Sequence, residues 1–440
     1  MTVQRYKTSA PMVPASTAAR LALWTVVAVN VVVVEVLFVS SGTGKNFLLT
    51  TARFFGVHAA LLMVVQLVLI ARLPWFDRRI GMDVLTLWHR WTGFGLLWTV
   101  VTHGVFVVLG YAVLDAAPIN RTFIALAAVP ASLVGMLAAI LIVAVAVTSV
   151  RALRRRLPYE LWHGLHLLLY AALVLGFLHQ TMETTTFVNP LAASYWSTLW
   201  ALVGVALLTG RVLLPLWRNA YHRFRVAAVV PEAGDAVSVY VVGRHLDRLP
   251  ARAGQFAIWR FPGHDRWWRA NPFSLSRAPD GRSLRLTAKA VGTTTRRLRY
   301  LPVGNRVFIE GPYGAFTTAS KVRRDTLLVA GGIGVTPIRA LLEEMGGSLV
   351  VMYRVRSEAD ASLLGELRNI AHDRGAQLHV LAGPDAPSFT AHTFATLVPD
   401  VINRDVFVCG PPSMTAAAVK GLHDLGIPRS QVHWERFGFG

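Results

Sequence analysis

The chain has 440 residues, 54% hydrophobic and 15% charged, with a formal net charge of +20 and a mean hydropathy of +0.46. That apolarity excludes an ordinary soluble protein of this size, and the single cysteine, Cys409, excludes an internal disulfide and an iron–sulfur cluster within the chain, which takes about four cysteines. Nucleic acid is not an expected partner, because no Lys/Arg run is interleaved with aromatics; much of the positive charge lies in loops suited to anionic membrane lipid.

Six apolar runs fill the first half, near 20–40, 52–72, 84–112, 122–149, 160–180 and 193–215. Each is long enough to cross about 30 Å of hydrocarbon. The first is too long for a cleaved signal peptide and no small-residue site follows it, so it is expected to stay in the mature protein. Arg5, Lys7 and Arg20 precede the first run, Arg72, Arg78 and Arg79 follow the second, Arg151, Arg154, Arg155 and Arg156 follow the fourth, and Arg218, Arg223 and Arg225 follow the sixth. The alternate loops carry only Lys45 with Arg53, and Arg121. This asymmetry predicts a multi-pass protein of the cell membrane with both termini in the cytoplasm.

Polar residues inside these runs need a partner or a purpose. Glu35, in the outer half of the first run, is read as paired or snorkelled, with a proton or cation role as the alternative. His58 in the second run is read as hydrogen-bonding across helices. The third run carries His89 and His103, whose spacing is about 40° short of four helical turns and roughly 21 Å of rise, so both rings can face one side at two depths. The fifth run, YELWHGLHLLLYAALVLGFLHQ, carries His163, His166 and His179. Four neutral imidazoles at two matching depths suit two b-type haems, each iron held between the third and fifth runs, with His89 and His166 at the inner level and His103 and His179 at the outer. The thirteen-residue gap from His166 to His179 is about 140° short of four turns, which requires over-winding or different approach faces; His163 competes with His166 for the inner position.

At RVLLPLWRNAYHRFR apolar helix gives way to basic residues and then to alternating sequence such as AVSVYVVG. Short strands and turns over roughly 224–316 predict a small antiparallel β-barrel. From about 325, strands (DTLLVA, SLVVMYRV, AQLHVLAG, DVFVCG) alternate with helices, predicting a parallel α/β sheet. The fold class expected is therefore a multidomain membrane protein: a six-helix α-helical transmembrane bundle, then a small barrel, then an α/β nucleotide-binding domain. In DTLLVAGGIGVTPIRALLEE, Gly331, Gly332 and Gly334 let backbone approach a pyrophosphate, and the helix that follows takes Thr336 as candidate N-cap with Pro337 in its first turn. The spacing is not G-x-G-x-x-G.

GQFAIWRFP, NPFSLSRAP, RLTAKAVGTTTRRL and VFIEGPYGAF precede that loop in order, and VFVCGPPSM and HWERFGFG follow it. This ordered set resembles the ferredoxin-NADP reductase type of flavoprotein, and joined to six spans with paired histidines it resembles the ferric reductase and NADPH oxidase family in bacterial form. The resemblance implies that Pro272, Phe273, Ser274 and Ser276 line the flavin of FAD, and that Gly292, Thr293, Thr294 and Thr295 approach its pyrophosphate. It implies that Gly331, Gly332, Gly334, Thr336 and Pro337 form the pyridine-nucleotide loop, that Cys409, Gly410 and Pro411 lie beside the nicotinamide, and that Cys409 acts through position and not as a nucleophile. Glu435, Phe437 and Phe439 match the family's acidic and aromatic tail, one ring of which covers the flavin until nicotinamide displaces it. Arg354 and Arg356 follow a strand where the 2′-phosphate of NADPH would sit, which favours NADPH over NADH. Where the family commonly has His, this chain has Asn271.

The resulting expectation is a cytoplasmic segment over 1–19, a transmembrane haem domain over 20–217, an FAD barrel over 222–320 and an NAD(P) domain over 324–440. Electrons would pass from NAD(P)H through FAD and two haems to a small extracytoplasmic acceptor, molecular oxygen or ferric iron. The rival readings are reduction of a quinone or a periplasmic protein, and a flavin reductase attached to a non-haem anchor or proton-relay transport module.

Overall fold

The computed structural model of the protein describes residues 15–154, 156–183, 189–264 and 269–436. Its residues gather into two compact units, one of Arg20–Arg72 with Leu85–Thr209, the other of Leu73–Val84 with the chain from Gly210 onward.

The first unit is helical. Its long elements are α1 (Ala15–Ser40), α2 (Phe47–Ile70), α4 (Met82–Leu114), α6 (Pro130–Ser149), α8 (Tyr159–Met182) and α9 (Pro190–Leu208), and among the described residues the six helices long and apolar enough to cross a membrane fall in the six apolar runs of the sequence. Asn46 caps α2 by accepting from Leu49 N at 2.8 Å, and its amide donates to the Gly110 carbonyl at 2.8 Å, tying the start of α2 to the end of α4. The run expected as one span over 122–149 is two helices, α5 (Ile119–Ala127) and α6. Pro130 lacks an N–H and holds Val129 extended (φ −85°, ψ 118°), so the helix cannot continue across it. α2 is the most enclosed helix of the six, and Ala59 and Met63 on it pack with Leu96, Val100, Ile142 and Ala172.

The second unit begins with the short helix α3 (Pro74–Ile80) and α10 (Leu214–His222), the latter reached from α9 through a π-helical turn at Thr209–Leu213. Two three-stranded antiparallel sheets follow. One orders β1 (Arg225–Glu232), β2 (Ala236–Val242) and β5 (Ser283–Lys289); the other orders β4 (Asn271–Ser274), β3 (Phe256–Arg260) and β6 (Phe308–Tyr313). Bridges at Leu275↔Leu286 and Arg225↔Arg306 join the two sheets, and Val239, Val241, Trp259 and Leu286 are buried in a core they share. This is the form taken by the expected barrel. α3 and α10 brace its β6 strand: Gly314 N donates to Asp77 Oδ2 at 3.2 Å, Arg218 donates to the Gly311 carbonyl at 2.6 Å, and Asn219 both donates to and accepts from the Ile309 backbone.

The remainder is a five-stranded parallel sheet in the order β11 (Val432–Arg436), β10 (Arg404–Gly410), β7 (Asp325–Gly331), β8 (Leu349–Val355), β9 (Gln377–Ala382). The chain builds outward from β7 through β8 and β9, then returns to the other side of β7 for β10. The carboxyl ends of β7 and β10 therefore flank a topological switch point, where open α/β sheets take their ligands.

An ion-pair network, unmarked by any local sequence pattern, joins the barrel to this sheet domain. Arg285 on β5, 1% exposed, makes a bidentate contact to Glu366 at 2.7 and 3.0 Å. Arg339, on α12 (Val335–Glu344), donates to the same carboxylate at 2.6 Å. Burial alone would push the Glu366 carboxyl up; the two guanidinium groups hold it below the ordinary carboxylate range.

Candidate functional site

α4 and α8 carry the membrane histidines. His89 faces His166 with ring centres 6.1 Å apart, and His103 faces His179 at 6.2 Å. A metal–nitrogen bond is about 2 Å and a ring nitrogen lies about 1.1 Å from the ring centre, so two imidazoles sharing one metal ion would have centres about 6.2 Å apart. Both pairs fit that spacing. No π or 3₁₀ turn interrupts α8, so over-winding does not explain how the thirteen-residue gap closes; His166 and His179 leave the helix on different faces. His163 lies beside Trp162 instead, ring centres 6.5 Å apart. Among the described residues no cluster of three or more metal-ligating side chains occurs, and a haem iron with two axial imidazoles requires only two.

The surroundings of the two pairs differ. His103 donates Nδ1–H to the Ala52 carbonyl on α2 at 2.8 Å, and His179 donates Nδ1–H to the Ala131 carbonyl on α6 at 2.8 Å. A carbonyl only accepts, so each ring is the Nδ1–H tautomer when neutral and its Nε2 lone pair is left for the shared space. One helical turn after each carbonyl stands a glycine. A methyl group on Gly56 would lie 2.9 Å from His103 Nδ1, and one on Gly135 would lie 2.7 Å from His179 Nδ1. Ala52 with Gly56 and Ala131 with Gly135 are thus matching cradles on two helices. His166 is held otherwise: it stacks on Trp162 at 5.2 Å and 26°, and the Arg154 guanidinium lies 4.5 Å over that indole. The His166 Nδ1 atom has no hydrogen-bond partner among the described residues.

In the second unit Pro272, Phe273 and Ser274 lie on β4, paired with β3. The Ser274 hydroxyl is buried and has no hydrogen-bond partner among the described residues, which suits a ligand's polar edge. Ser276 is fully buried, and its hydroxyl is already engaged by Arg285 Nε at 3.0 Å and Thr287 Oγ1 at 2.8 Å. Gly292 opens a short helical turn closed by Thr295, whose Oγ1 accepts from Gly292 N at 3.0 Å; Gly292 and Thr293 are exposed, Thr294 and Thr295 half-buried.

The three glycines after β7 serve different needs. A methyl at Gly331 would strike Met414 Sδ at 2.1 Å and one at Gly334 would strike the Cys409 carbonyl at 2.2 Å, so the first permits close packing against the helix after β10 and the second against the end of β10 itself. Gly332 has φ +53° and nothing within 4 Å, which leaves it as the member facing open space. Thr336 is not the N-cap. α12 begins at Val335 after Gly334, and Thr336, already inside the first turn with Pro337, donates its hydroxyl to the Ile333 carbonyl at 3.0 Å. The helix starts two residues earlier than expected because Gly332–Gly334 winds as a 3₁₀ turn leading straight into it.

Gly410 ends β10 and Pro411 precedes α15 (Pro412–Asp424). Cys409 is fully buried, and burial together with Glu435 pushes its thiol well up, which disfavours the thiolate. Glu435 lies in register with Cys409 on β11, its carboxylate against Gly314 of the barrel segment. Phe437 and Phe439 lie outside the described residues. Arg354 NH1 is engaged by three carbonyls, those of Val355, Leu381 and Gly383, at 2.7–3.0 Å, whereas Arg356 is exposed.

Comparison with known proteins agrees with this division. The family described as "Ferric reductase like transmembrane component" matches residues 55–177. The second half is similar to the 3-ketosteroid-9-alpha-monooxygenase ferredoxin reductase component of Mycobacterium tuberculosis (strain CDC 1551 / Oshkosh), 32% identical over 233 residues, covering 48% of this chain and 64% of that protein. It is also similar to the flavohemoprotein of Chromobacterium violaceum, 28% identical, covering 50% of this chain and 61% of that protein. Among solved structures, the flavohem-like FAD/NAD binding domain of nitric oxide dioxygenase from Vibrio cholerae O1 biovar El Tor overlaps 49% of this chain and 98% of that one, with 24% identity and a TM-score of 0.43. The chain thus spans under two thirds of the length of these first two relatives. It is a multi-pass membrane protein in which a ferric-reductase-like transmembrane component is fused to a ferredoxin-reductase-type half.

Proposed function

We propose that this chain is a transmembrane oxidoreductase that carries electrons from cytoplasmic NAD(P)H to a small acceptor on the other face of the membrane, molecular oxygen or a ferric chelate. The observation that carries the reading is the pair of imidazole pairs between α4 and α8, at 6.1 and 6.2 Å, separated along α4 by roughly 21 Å of rise. When bound, FAD would accept hydride and release electrons singly, and two b-type haems would each pass one electron. The rest is the work of the chain.

His89 with His166, and His103 with His179, would hold the two irons. The Ala52 and Ala131 carbonyls keep the outer rings in the ligating tautomer, and Gly56 and Gly135 leave room for them. Pro272, Phe273 and Ser274 would border the flavin, with Ser276 bracing Ser274's strand from within the barrel; Gly292 through Thr295 would offer backbone N–H and hydroxyl groups to the pyrophosphate. Gly332 and the start of α12, with Thr336 and Pro337, would receive the pyridine nucleotide at the switch point, beside Cys409, Gly410 and Pro411. Glu435, beside Cys409, and one of Phe437 and Phe439 would border the flavin from the tail. With Arg354 tied to carbonyls, Arg356 is the guanidinium left for a 2′-phosphate, and the preference for NADPH rests on it.

A reduced-minus-oxidised spectrum of membranes, taken with dithionite and again with NADPH while superoxide and ferrous traps are present, tests the path. The expected result is a b-type haem band filled by NADPH together with a signal from one trap. Flavin without any haem band would replace this reading with a reductase on an anchor or proton-relay module; a filled haem band with neither trap responding would move the acceptor to a quinone or a periplasmic protein.

A further inference from the structure

The six spans contain one carboxylate away from their ends, Glu35 on α1, and the structure pairs it with His58 on α2, Oε1 to Nε2 at 3.2 Å. The other nitrogen of the same ring, Nδ1, lies 2.8 Å from the Phe54 carbonyl. That carbonyl only accepts, so Nδ1 carries a hydrogen. Without a further proton the pair is a carboxylate beside a neutral imidazole; with one, on Nε2 or on Glu35, it is net neutral.

Its position ties it to the outer histidines. Gly56, which makes room for His103, stands two residues before His58, about 200° around the helix. α2 therefore shows one side to the His103 ring and the other to Glu35, across about one helix diameter of 10 Å. On the adjoining elements, Arg53 on α2 donates to the Phe38 and Gly42 carbonyls, Tyr195 on α9 donates to Asn30 on α1, and His103 on α4 donates to Ala52. The Glu35 side chain is 41% exposed and stands five residues before the Ser40 end of α1.

We propose that Glu35 and His58 form a proton-uptake site coupled to electron arrival at His103–His179; the inference rests on the haem reading above. An electron on a haem held by His103 and His179 would add one negative charge in an apolar surrounding. One proton from the adjacent aqueous phase then forms an O–H bond on Glu35, raising the charge of the Glu35–His58 pair by one. When the electron leaves for the acceptor the O–H bond breaks and the proton returns to water. The reductase half supplies the electron, water the proton, and nothing else is consumed.

The test is a redox titration of the full-length protein, followed by haem absorbance from about pH 5 to about pH 8. In the unaltered protein the outer component's midpoint falls with rising pH at a slope approaching one proton per electron, and the inner component's does not. Glu35→Gln flattens the outer slope while both haem bands persist, and Glu35→Asp restores it; His58→Gln reads the same loss by removing the imidazole. Two haem bands with a pH-independent outer midpoint, or an unchanged slope in Glu35→Gln, overturns the proposal alone. Flavin with no haem band overturns the haem reading and the proposal with it.

Discussion

His103 and His179 are held from outside, each ring donating Nδ1–H to a carbonyl of a neighbouring helix and seated against a glycine, whereas His166 is held by the stack of Trp162 and Arg154 on its own side of the bilayer. The ring separations are nearly equal, yet the forces that set them differ. A hydrogen bond to a carbonyl fixes the tautomer and makes the opposite nitrogen a better donor, which favours the oxidised metal. Stacking orients a ring without that electronic push, and an overlying guanidinium opposes accumulation of positive charge. His103 and His179 are thus positioned by backbone and His166 by side chains, and His166 is the more open to tuning by substitution.

The largest effect that could break this comparison is loss of a ligand. His179→Ala is expected to halve the haem content per flavin and abolish reduction of an external acceptor, whereas His166→Ala should also prevent filling of the remaining haem by NADPH; pyridine haemochrome assay and the NADPH-reduced spectrum check both. Next come the cradles. Gly135→Val and Gly56→Val force a side chain into space 2.7–2.9 Å from a ring nitrogen, and we expect outer-site iron binding to weaken about 10–100-fold. Gly104→Ala, on the same α4 as His103 but with nothing within 4 Å of the added methyl, should leave haem content unchanged. If all three behave alike, the cradles have no special role.

Trp162→Leu should keep both haems but shift the inner midpoint potential and broaden its low-temperature band, leaving the outer component untouched. An equal shift in both would mean that the stack acts on the bundle at large. The smallest effect expected is from Arg154→Gln, which removes a cation–π contact of about 0.5–1 kcal/mol and should move the inner midpoint alone, downward, by less than the tryptophan change.

Much of this was legible before any coordinates. Hydropathy marked the six spans, and the histidine spacing picked out the residues that now face each other across α4 and α8, because a fourteen-residue interval on a helix nearly repeats its direction. His166 was favoured over His163 in sequence without being decided: spacing disfavoured both about equally, and it is the His89 ring, facing His166 at 6.1 Å, that separates them. Thr336 looked like a cap because Thr before Pro is a common helix start, but the preceding glycines had already turned the chain. Arg354 looked like a phosphate ligand because its type and place suit one, and the carbonyls that occupy it come from β9 and the turn after it, which local sequence does not announce.

From the sequence alone came the division into a membrane half and a reductase half, the parallel strands around the glycine loop and the set of candidate histidines, since each depends on periodicity, hydropathy or motif order within a short stretch. The tertiary structure alone decided which ring faces which, that Ala52 with Gly56 and Ala131 with Gly135 receive the outer pair, that Glu35 meets His58, and that Arg285 joins the barrel to Glu366. Those are contacts between residues far apart along the chain, and their geometry is set by how helices and sheets pack against each other, which no local pattern encodes.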